Sequence, residues 1–264
     1  MKYGTYFNML TANYIAPKEI TLIESDKVHC LLRGKNLIVE FVGPTGSGKT
    51  TNCSFFSDFF SKQNLNVYTF CDVKAFLYEQ SFYHRLRIYL ETIFTHGLDF
   101  LAFFYLLASY RIYSFDSIYR YMKLCLFNIV LHQFIGSRKV DALLLDQWII
   151  QGLWSATIFK VHSLNKLQDE LKRFYFKTDY VLYFDIDEET ACERIQSRDS
   201  GRSRFDKMDY EDKLAELKRY NPYLHRLFEN SDCPNKFEFS TKVSPVQNAE
   251  AFFHQLQASV IHVK

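Results

Sequence analysis

The stretch that decides the fold is LIVEFV at residues 37–42, followed without a break by GPTGSGKT at residues 43–50. The first part is a short apolar run, which is typical of a buried parallel strand. The second part matches the pattern G-x-x-x-x-G-K-[ST] in full. Helical character follows over residues 50–62, so the sequence predicts a strand, a phosphate-binding loop (P-loop) and a helix in direct succession.

Each part of the loop has an expected task toward a nucleoside triphosphate. Glycine lets the backbone curl so that successive N–H groups converge on phosphate oxygens. Lys49 is expected to neutralise the β- and γ-phosphates, and the Thr50 hydroxyl to coordinate Mg²⁺. The residues predicted to bind ATP here are Gly43, Thr45, Gly46, Ser47, Gly48, Lys49, Thr50 and Thr51. The alternative is a glycine-rich turn without function.

Strands and helices alternate along the rest of the chain. Further strands are predicted at residues 65–71, 142–146, 180–185 and 236–239, and helices at 188–198, 213–228 and 245–260. An aromatic, helical insert at about 74–135 separates the second strand from the third. This alternation predicts an α/β fold with a five-stranded parallel sheet between two helical layers. Residues 1–36 are expected to be an N-terminal extension, and residues 37–264 a single domain built around the P-loop.

Composition limits the function classes. The 264 residues carry a net charge of +2, which gives no reason to expect nucleic acid or an anionic membrane as a partner. The cysteines lie far apart without a C-x-x-C pair, and the N-terminus does not resemble a signal peptide. Reduced thiols in a cytoplasmic protein are the simplest interpretation. The oligomeric state is open, and a homodimer is among the states considered.

The segment FLAFFYLLASY at residues 100–110 is the most apolar in the chain. A membrane-spanning helix needs about 20 apolar residues, and this run is shorter, so no membrane span is predicted. We expect a buried helix, with a hydrophobic contact surface as the alternative.

The third predicted strand ends in Asp146, which Gln147 follows. An acidic residue at that position can hold Mg²⁺ through water, so Asp146 is a candidate metal and catalytic residue. The alternative is an exposed carboxylate at a strand end. Gln147 cannot act as the base that ATP-hydrolysing enzymes add, and the nearest approach to the guanine-reading N-K-x-D motif, at residues 165–169, misses by one position. A kinase is therefore favoured over a GTPase or a hydrolytic ATPase.

Four arginines follow the fourth predicted strand. Arg194 and Arg198 are four residues apart on a predicted helix, and Arg202 and Arg204 lie in the loop after it. Arginine is a permanently charged donor suited to the charge that develops in phosphoryl transfer. We predict a lid at about 199–206 and catalytic roles for Arg198, Arg202 and Arg204. The alternative is a surface patch or a nonspecific anion site.

These motifs together resemble the thymidylate kinase family of nucleoside-monophosphate kinases. The matching stretches are GPTGSGKT, LLLD, YVLYFDIDEETACERIQSR running into GRSRFD, and FEFSTKVSPVQNAEAFFHQL, within residues 37–260. The resemblance implies that Arg194 packs on adenine, that Arg198 contacts phosphate, and that the segment around Lys242 borders the base. The family usually carries an arginine after the strand-three aspartate, where this chain has Gln147.

The acceptor site is expected beyond the carboxyl ends of the strands. Gln147 and Gln151 are candidate acceptor-binding residues there. Asp72 is expected either to orient an acceptor hydroxyl or to cap the following helix. Arg85 is a candidate for an acceptor phosphate, although arginines on such helices more often face solvent. The acceptor itself is open between a nucleotide and another metabolite, and a nucleotide-regulated binding protein with little catalysis is the alternative to an enzyme.

Overall fold

The computed structural model describes residues 36–110, 114–158, 171, 174, 176–198 and 204–261, with side chains as far as residue 256. The predicted extension, apart from Asn36, lies outside this range. Arg202 and the 165–169 stretch lie outside it as well.

The sheet is parallel throughout and has five strands among the described residues. The strands are β1 (Leu37–Val42), β2 (Val67–Thr69), β3 (Ala142–Leu145), β4 (Tyr180–Asp185) and β5 (Lys236–Ser240). They lie side by side in the order β2-β3-β1-β4-β5, so β1 is the central strand. It pairs with β3 on one side and with β4 on the other. The prediction of a five-stranded parallel sheet is confirmed.

Eight α-helices and one 3₁₀ helix connect these strands within the described residues. They are α1 (Lys49–Lys62), α2 (Phe70–Glu79), α3 (Phe82–Ser109), α4 (Phe115–Ser137), α5 (Ile149–Thr157), α6 (Glu188–Gln196), α7 (Tyr210–Glu229), α8 (Pro245–Ile261) and the 3₁₀ helix Arg204–Lys207. The predicted helical insert is thus α2, α3 and α4. The second strand is shorter than predicted because Phe70, within the expected strand, already begins α2.

Two hydrophobic layers cover the sheet. On one face α1 and α8 pack a phenylalanine cluster, in which the Phe56 ring lies 5.1 Å from Phe41 and 5.8 Å from Phe252. On the other face, alternate strand residues such as Leu143 and Leu145 pack against the helical insert, α5 and α7. Such alternation of side chains between faces is what a strand covered on both sides requires.

The connections that leave β1 and β3 go to opposite faces of the sheet. The chain passes from β1 through residues 43–48 into α1, in the phenylalanine layer, and from β3 through residues 146–148 into α5, in the other layer. Neighbouring parallel strands that diverge in this way open a crevice at their carboxyl ends, which is where α/β proteins bind ligands. The loop at 43–50 and Asp146 both lie at that crevice.

Helix α3 is only half buried, unlike the predicted helix at 100–110. Phe103, Leu106 and Leu107 are buried, whereas Phe104 and Tyr105 are exposed. The helix is confirmed, but its expected burial is wrong for the side that faces away from α4, and the contact-surface alternative stays a prediction. Among the described residues, α3 is the one helix that is long and apolar enough to cross a membrane by length and composition, with 28% of its most apolar window buried.

Candidate functional site

The loop between β1 and α1 has a backbone that glycine makes possible. Gly46 and Gly48 have φ angles of 94° and 78°, in the left-handed region that other residues rarely adopt. A Cβ on Gly46 would also lie 2.7 Å from the carbonyl oxygen of Ala191 in α6, so this turn packs directly on that helix. Gly48 is the N-cap residue of α1, whose first N–H groups have no partners inside the helix and face the loop.

Lys49 folds back over the loop that precedes it. Its Nζ donates to the carbonyl oxygens of Gly43 at 2.7 Å and Pro44 at 2.8 Å. Burial lowers the pKa of Lys49 from 10.5 to about 7, with nearby Arg198 lowering it further and Asp146 opposing the shift. The ammonium is therefore a poorly solvated cation, and a bound anion would stabilise its charged form.

Thr50 and Asp146 meet across the crevice. The Thr50 hydroxyl donates to Asp146 Oδ2 at 2.7 Å, although the two residues are 96 positions apart in the chain. The contact forms because the P-loop and the end of β3 lie side by side. It joins the hydroxyl and the carboxylate that the sequence predicted as the metal-binding pair.

A cavity of about 690 Å³ opens in front of the loop. Of the predicted site residues, those that line it are Thr45, Gly46, Gly48, Lys49, Thr50, Thr51, Asp146, Gln147, Gln151, Arg198 and Arg204. Two further loop residues, Gly43 and Ser47, do not line the cavity. The Gly43 N–H donates to the Gln151 side chain at 3.4 Å, and Ser47 is buried. One space therefore holds most of the residues predicted from separate stretches of sequence.

Arg204 lies at the cavity but is tied to its far wall. It donates to the Ser155 carbonyl oxygen of α5 at 2.6 Å, and its guanidinium is 3.9 Å from Asp116 of α4. Burial lowers its pKa, as does the neighbouring Arg120, while Asp116 opposes the shift. The adjacent Phe205 stacks on Trp154, with ring centroids 6.3 Å apart, so this end of the predicted lid rests on α5.

Arg194 and Lys242 do not line the cavity. Arg194 lies on α6, the helix that packs on Gly46, and Lys242 follows β5. The pKa of exposed Asp187 at the start of α6 is lowered mainly by hydrogen bonds from Thr190 and to a smaller extent by Lys242. Both residues predicted to lie near the base thus belong to the α6 side of the loop, outside the cavity.

Two predicted acceptor residues have other environments. Asp72 Oδ2 accepts from the backbone N–H of Thr69 at 2.6 Å and from its hydroxyl at 2.8 Å, which forms a capping box at the start of α2. The capping interpretation of Asp72 is therefore the one that the structure confirms. Arg85, in the first turn of α3, is also not among the residues that line the cavity. Neither residue faces the expected acceptor position.

Three cations that the sequence reasoning missed line the cavity opposite the P-loop. They are Lys74 of α2 and Arg120 and Lys123 of α4. Lys74 Nζ lies 4.2 Å from the centroid of the Phe70 ring, and Arg120 donates to Asp116 at 2.9 Å and to Ser155 Oγ at 3.0 Å. Phe70 and Phe127 line the same wall. We name these five residues the acceptor wall.

Glu40 is a second residue that sequence reasoning missed, and it lies beneath the site. Its side chain is fully buried in β1, and Oε1 accepts from the N–H groups of Ile150 at 2.7 Å and Gln151 at 3.3 Å. Gln151 in turn accepts from Gly43 N–H. Glu40 therefore ties the start of α5, through Gln151, to the first residue of the loop. Burial raises its pKa to about 8 against these two lowering hydrogen bonds.

The raised pKa of Glu40 predicts a pH-dependent stability. The unfolded chain loses this proton near pH 4.5 and the folded chain near pH 8, so the contribution of Glu40 to the free energy of unfolding falls as pH rises between these values. One pKa unit corresponds to about 1.4 kcal/mol. We expect the free energy of unfolding of Glu40→Gln, measured with urea, to rise relative to that of the native chain by several kcal/mol between pH 5 and pH 8.

The control for this measurement is Glu193→Gln, since Glu193 is exposed on α6. It should follow the native chain at every pH. A difference between Glu40→Gln and the native chain that does not vary with pH would contradict a buried carboxyl that stays protonated.

The residues at the loop fit ATP with Mg²⁺. A half-buried ammonium, a hydroxyl and a carboxylate stand beside the N-terminus of α1, which is the donor set that triphosphate and a hard cation require. The described residues contain no cluster of three or more His, Cys, Asp or Glu side chains that could hold a metal ion by themselves. Thr50 and Asp146 therefore suit Mg²⁺ that shares its coordination with phosphate oxygens.

The chain matches no family model and no curated protein. What the site can do therefore follows from its own residues.

Proposed function

We propose that the protein is an ATP- and Mg²⁺-dependent kinase that phosphorylates a small acceptor, a nucleotide being the acceptor class that the resemblance to thymidylate kinases favours. The observation that carries the proposal is the hydrogen bond between Thr50 and Asp146 beside the half-buried Lys49. Residues from two neighbouring strand ends there form the arrangement that phosphoryl transfer needs.

The donor side would bind the triphosphate as follows. The backbone N–H groups of the loop and of the first turn of α1 face the β- and γ-phosphates, and their partial charges add to that of the helix N-terminus. Lys49 would exchange its two loop carbonyl partners for phosphate oxygens. Thr50 and Asp146 would hold Mg²⁺, which neutralises phosphate charge when it is bound.

The protein takes little part in the covalent chemistry of the transfer step. An acceptor oxygen forms a bond to the γ-phosphorus while the bond from that phosphorus to the β–γ bridging oxygen breaks, and ADP leaves with the electron pair. Arg198, at the cavity beside Lys49, is suited to the charge on the migrating oxygens. Arg204 would join it if the lid turned away from Ser155.

The acceptor wall favours an acceptor that carries an anionic group. Lys74, Arg120 and Lys123 contribute three positive charges, and Phe70 and Phe127 add apolar surface beside them. A phosphate or carboxylate oxygen is already ionised at neutral pH, so such an acceptor needs no general base. This fits the capping role of Asp72, because the carboxylate that was expected to orient an acceptor hydroxyl is bonded to Thr69 instead.

Turnover with Lys49→Ala tests the donor side. We expect phosphoryl transfer to fall by at least about a thousandfold, because the side chain that neutralises the β- and γ-phosphates is lost. The measurement is a screen of nucleoside monophosphates, nucleosides and sugar phosphates, coupled to ADP release and followed by chromatography of the products.

The matched control is Lys62→Ala, since Lys62 is exposed at the far end of the same helix. It should retain native turnover. ATP consumption that no acceptor changes would contradict a kinase. Tight ATP binding without any phosphorylated product would support the alternative, a nucleotide-regulated binding protein, for which Gln147 and the exposed apolar side of α3 are the motivation.

Arg120→Gln tests the acceptor wall. Removing one charged hydrogen-bond donor should raise the KM for the acceptor about 10- to 100-fold while the KM for ATP changes less than threefold. Arg219→Gln is the control, because Arg219 is an exposed arginine of α7. Equal losses for ATP and acceptor, or no loss, would contradict an anionic acceptor held at this wall.

A further inference from the structure

The side-chain amide of Gln151 has a fixed orientation at the cavity. Gln151 is 9% exposed and lines the cavity, and its Oε1 accepts from the backbone N–H of Gly43 at 3.4 Å. An N–H group can bond only to the oxygen of a side-chain amide, so this contact decides which way the amide points. Nε2 has no hydrogen-bond partner within the described part of the chain, yet it is not sealed off from solvent. Gln151 therefore offers N–H donors to the cavity.

The backbone that carries Gln151 is held in place as well. Glu40 Oε1 accepts from the N–H groups of Ile150 at 2.7 Å and Gln151 at 3.3 Å. The next residue, Gly152, has no side chain, and a Cβ there would clash with Leu124 of α4. The start of α5 is thus fixed against both β1 and α4. A donor held in this way loses little freedom when it binds a ligand.

Gln151 and Lys49 contact the same residue of the loop. The N–H of Gly43 donates to Gln151, and the carbonyl oxygen of Gly43 accepts from Lys49 Nζ at 2.7 Å. In the proposed function, Lys49 exchanges this carbonyl oxygen for oxygens of the β- and γ-phosphates. The amide of Gln151 is therefore one residue away from the position where the γ-phosphate would bind.

Gln147 lies at the position where thymidylate kinases usually carry an arginine, but it is less suited to this task. It lines the cavity, is exposed, and makes no hydrogen bond within the described residues. Ordering a free glutamine side chain costs conformational entropy that offsets much of the hydrogen bond it gains. Of the two glutamines, Gln151 is the one that is already ordered.

We propose that Gln151 binds the attacking oxygen of the acceptor through Nε2 and holds it beside the γ-phosphate. The inference rests on the proposed phosphoryl transfer. The attacking oxygen forms a bond to the γ-phosphorus, the bond from that phosphorus to the bridging oxygen breaks, and ADP leaves with the electron pair. Gln151 gains and loses no proton in this step. It acts through its position and the partial positive charge of its N–H groups.

This role specifies the chemistry of the attacking group. An ionised phosphate or carboxylate oxygen can accept from the N–H groups of Gln151. An ammonium or guanidinium group would face them donor to donor, and the cations of the acceptor wall would repel it. The attacking atom is therefore an anionic oxygen rather than a nitrogen.

Gln151→Glu separates the donor from the contact with the loop. The carboxylate keeps an oxygen for the Gly43 N–H, but it replaces the donor with a second oxygen that repels an anionic acceptor. With ATP, Mg²⁺ and an equimolar pool of nucleoside monophosphates, we expect kcat to fall about 100-fold at pH 8. The dissociation constant for ADP, measured by calorimetry, should change less than threefold, because ADP has no γ-phosphate.

The pH profile of Gln151→Glu gives a readout that a purely structural role would not produce. A protonated carboxyl group carries an O–H donor, and glutamate has an unperturbed pKa of about 4.3. The protonated fraction therefore rises steeply as pH falls from 8 to 5.5. We expect the kcat of the variant, divided by that of the native chain at the same pH, to rise at least tenfold over this range. The division removes the titration of Glu40, Lys49 and the acceptor, which both chains share.

Gln247→Glu is the matched control. Gln247 is the third residue of α8, as Gln151 is of α5, and its Oε1 accepts from the backbone N–H of Ser244 at 3.3 Å. It is exposed and does not line the cavity. Its variant should keep native kcat at every pH.

Three results would overturn the inference while leaving the kinase proposal intact. They are native kcat in Gln151→Glu at pH 8, a loss of kcat that acidic pH does not reverse, and a larger loss in Gln147→Glu than in Gln151→Glu. A native chain that transfers no phosphoryl group to any acceptor would instead overturn the proposed function, and this inference with it.

Discussion

Strand β1 is held between two parallel neighbours, and the rest of the site depends on that constraint. Pairing with β3 brings residues 43–50 beside Asp146, and pairing with β4 brings the start of α6 under Gly46. The chain then leaves β1 and β3 toward opposite faces, which opens the crevice. Without this pairing, Thr50 and Asp146 would be two unrelated polar residues. With it, they share a 2.7 Å hydrogen bond.

The cavity is polarised between its two walls. On the wall formed by the loop at 43–50, the half-buried Lys49, helix N–H groups and a carboxylate stand together, and on the acceptor wall cations stand among aromatic rings. Two anionic ligands in this cavity would repel each other, and the cations on its two walls would offset that repulsion. Asp116 of α4 lies against both Arg120 and Arg204, and Arg204 belongs to the predicted lid. The electrostatics of the acceptor wall and of the lid are therefore coupled.

The sequence predicted the parts of the site that are local in the chain. The loop is a contiguous motif, Asp146 ends an apolar run, and the hydrogen bond that caps α2 joins Thr69 and Asp72, three residues apart. Most of the strands were found because buried parallel strands are largely apolar. The largest overestimate is β2, since a capping box at its end begins a helix inside an apolar stretch.

The remaining parts arise from contacts between distant segments. Arg120 and Lys123 line the cavity because of the rotation of α4 about its axis, which a helix with apolar residues on most sides does not reveal. The sequence does not reveal the rotation of α3 about its axis either, so Arg85 was predicted to bind an acceptor phosphate although it does not line the cavity. Glu40 is marked in the sequence only as a charged residue inside an apolar run, and its partner Ile150, 110 positions away, cannot be read from the sequence. The composition of α3 suits a buried core helix equally well, so the sequence did not predict which side of this helix is exposed.

The fate of the γ-phosphoryl group tests the central claim most directly. Phosphorus NMR of a single turnover with ATP, Mg²⁺ and an acceptor pool of nucleoside monophosphates would follow that phosphorus from donor to product. A kinase predicts a new phosphoanhydride or phosphoester signal that grows as γ-phosphate disappears, with little inorganic phosphate. Conversion of the γ-phosphate to inorganic phosphate alone, at a rate that no acceptor alters, would contradict phosphoryl transfer.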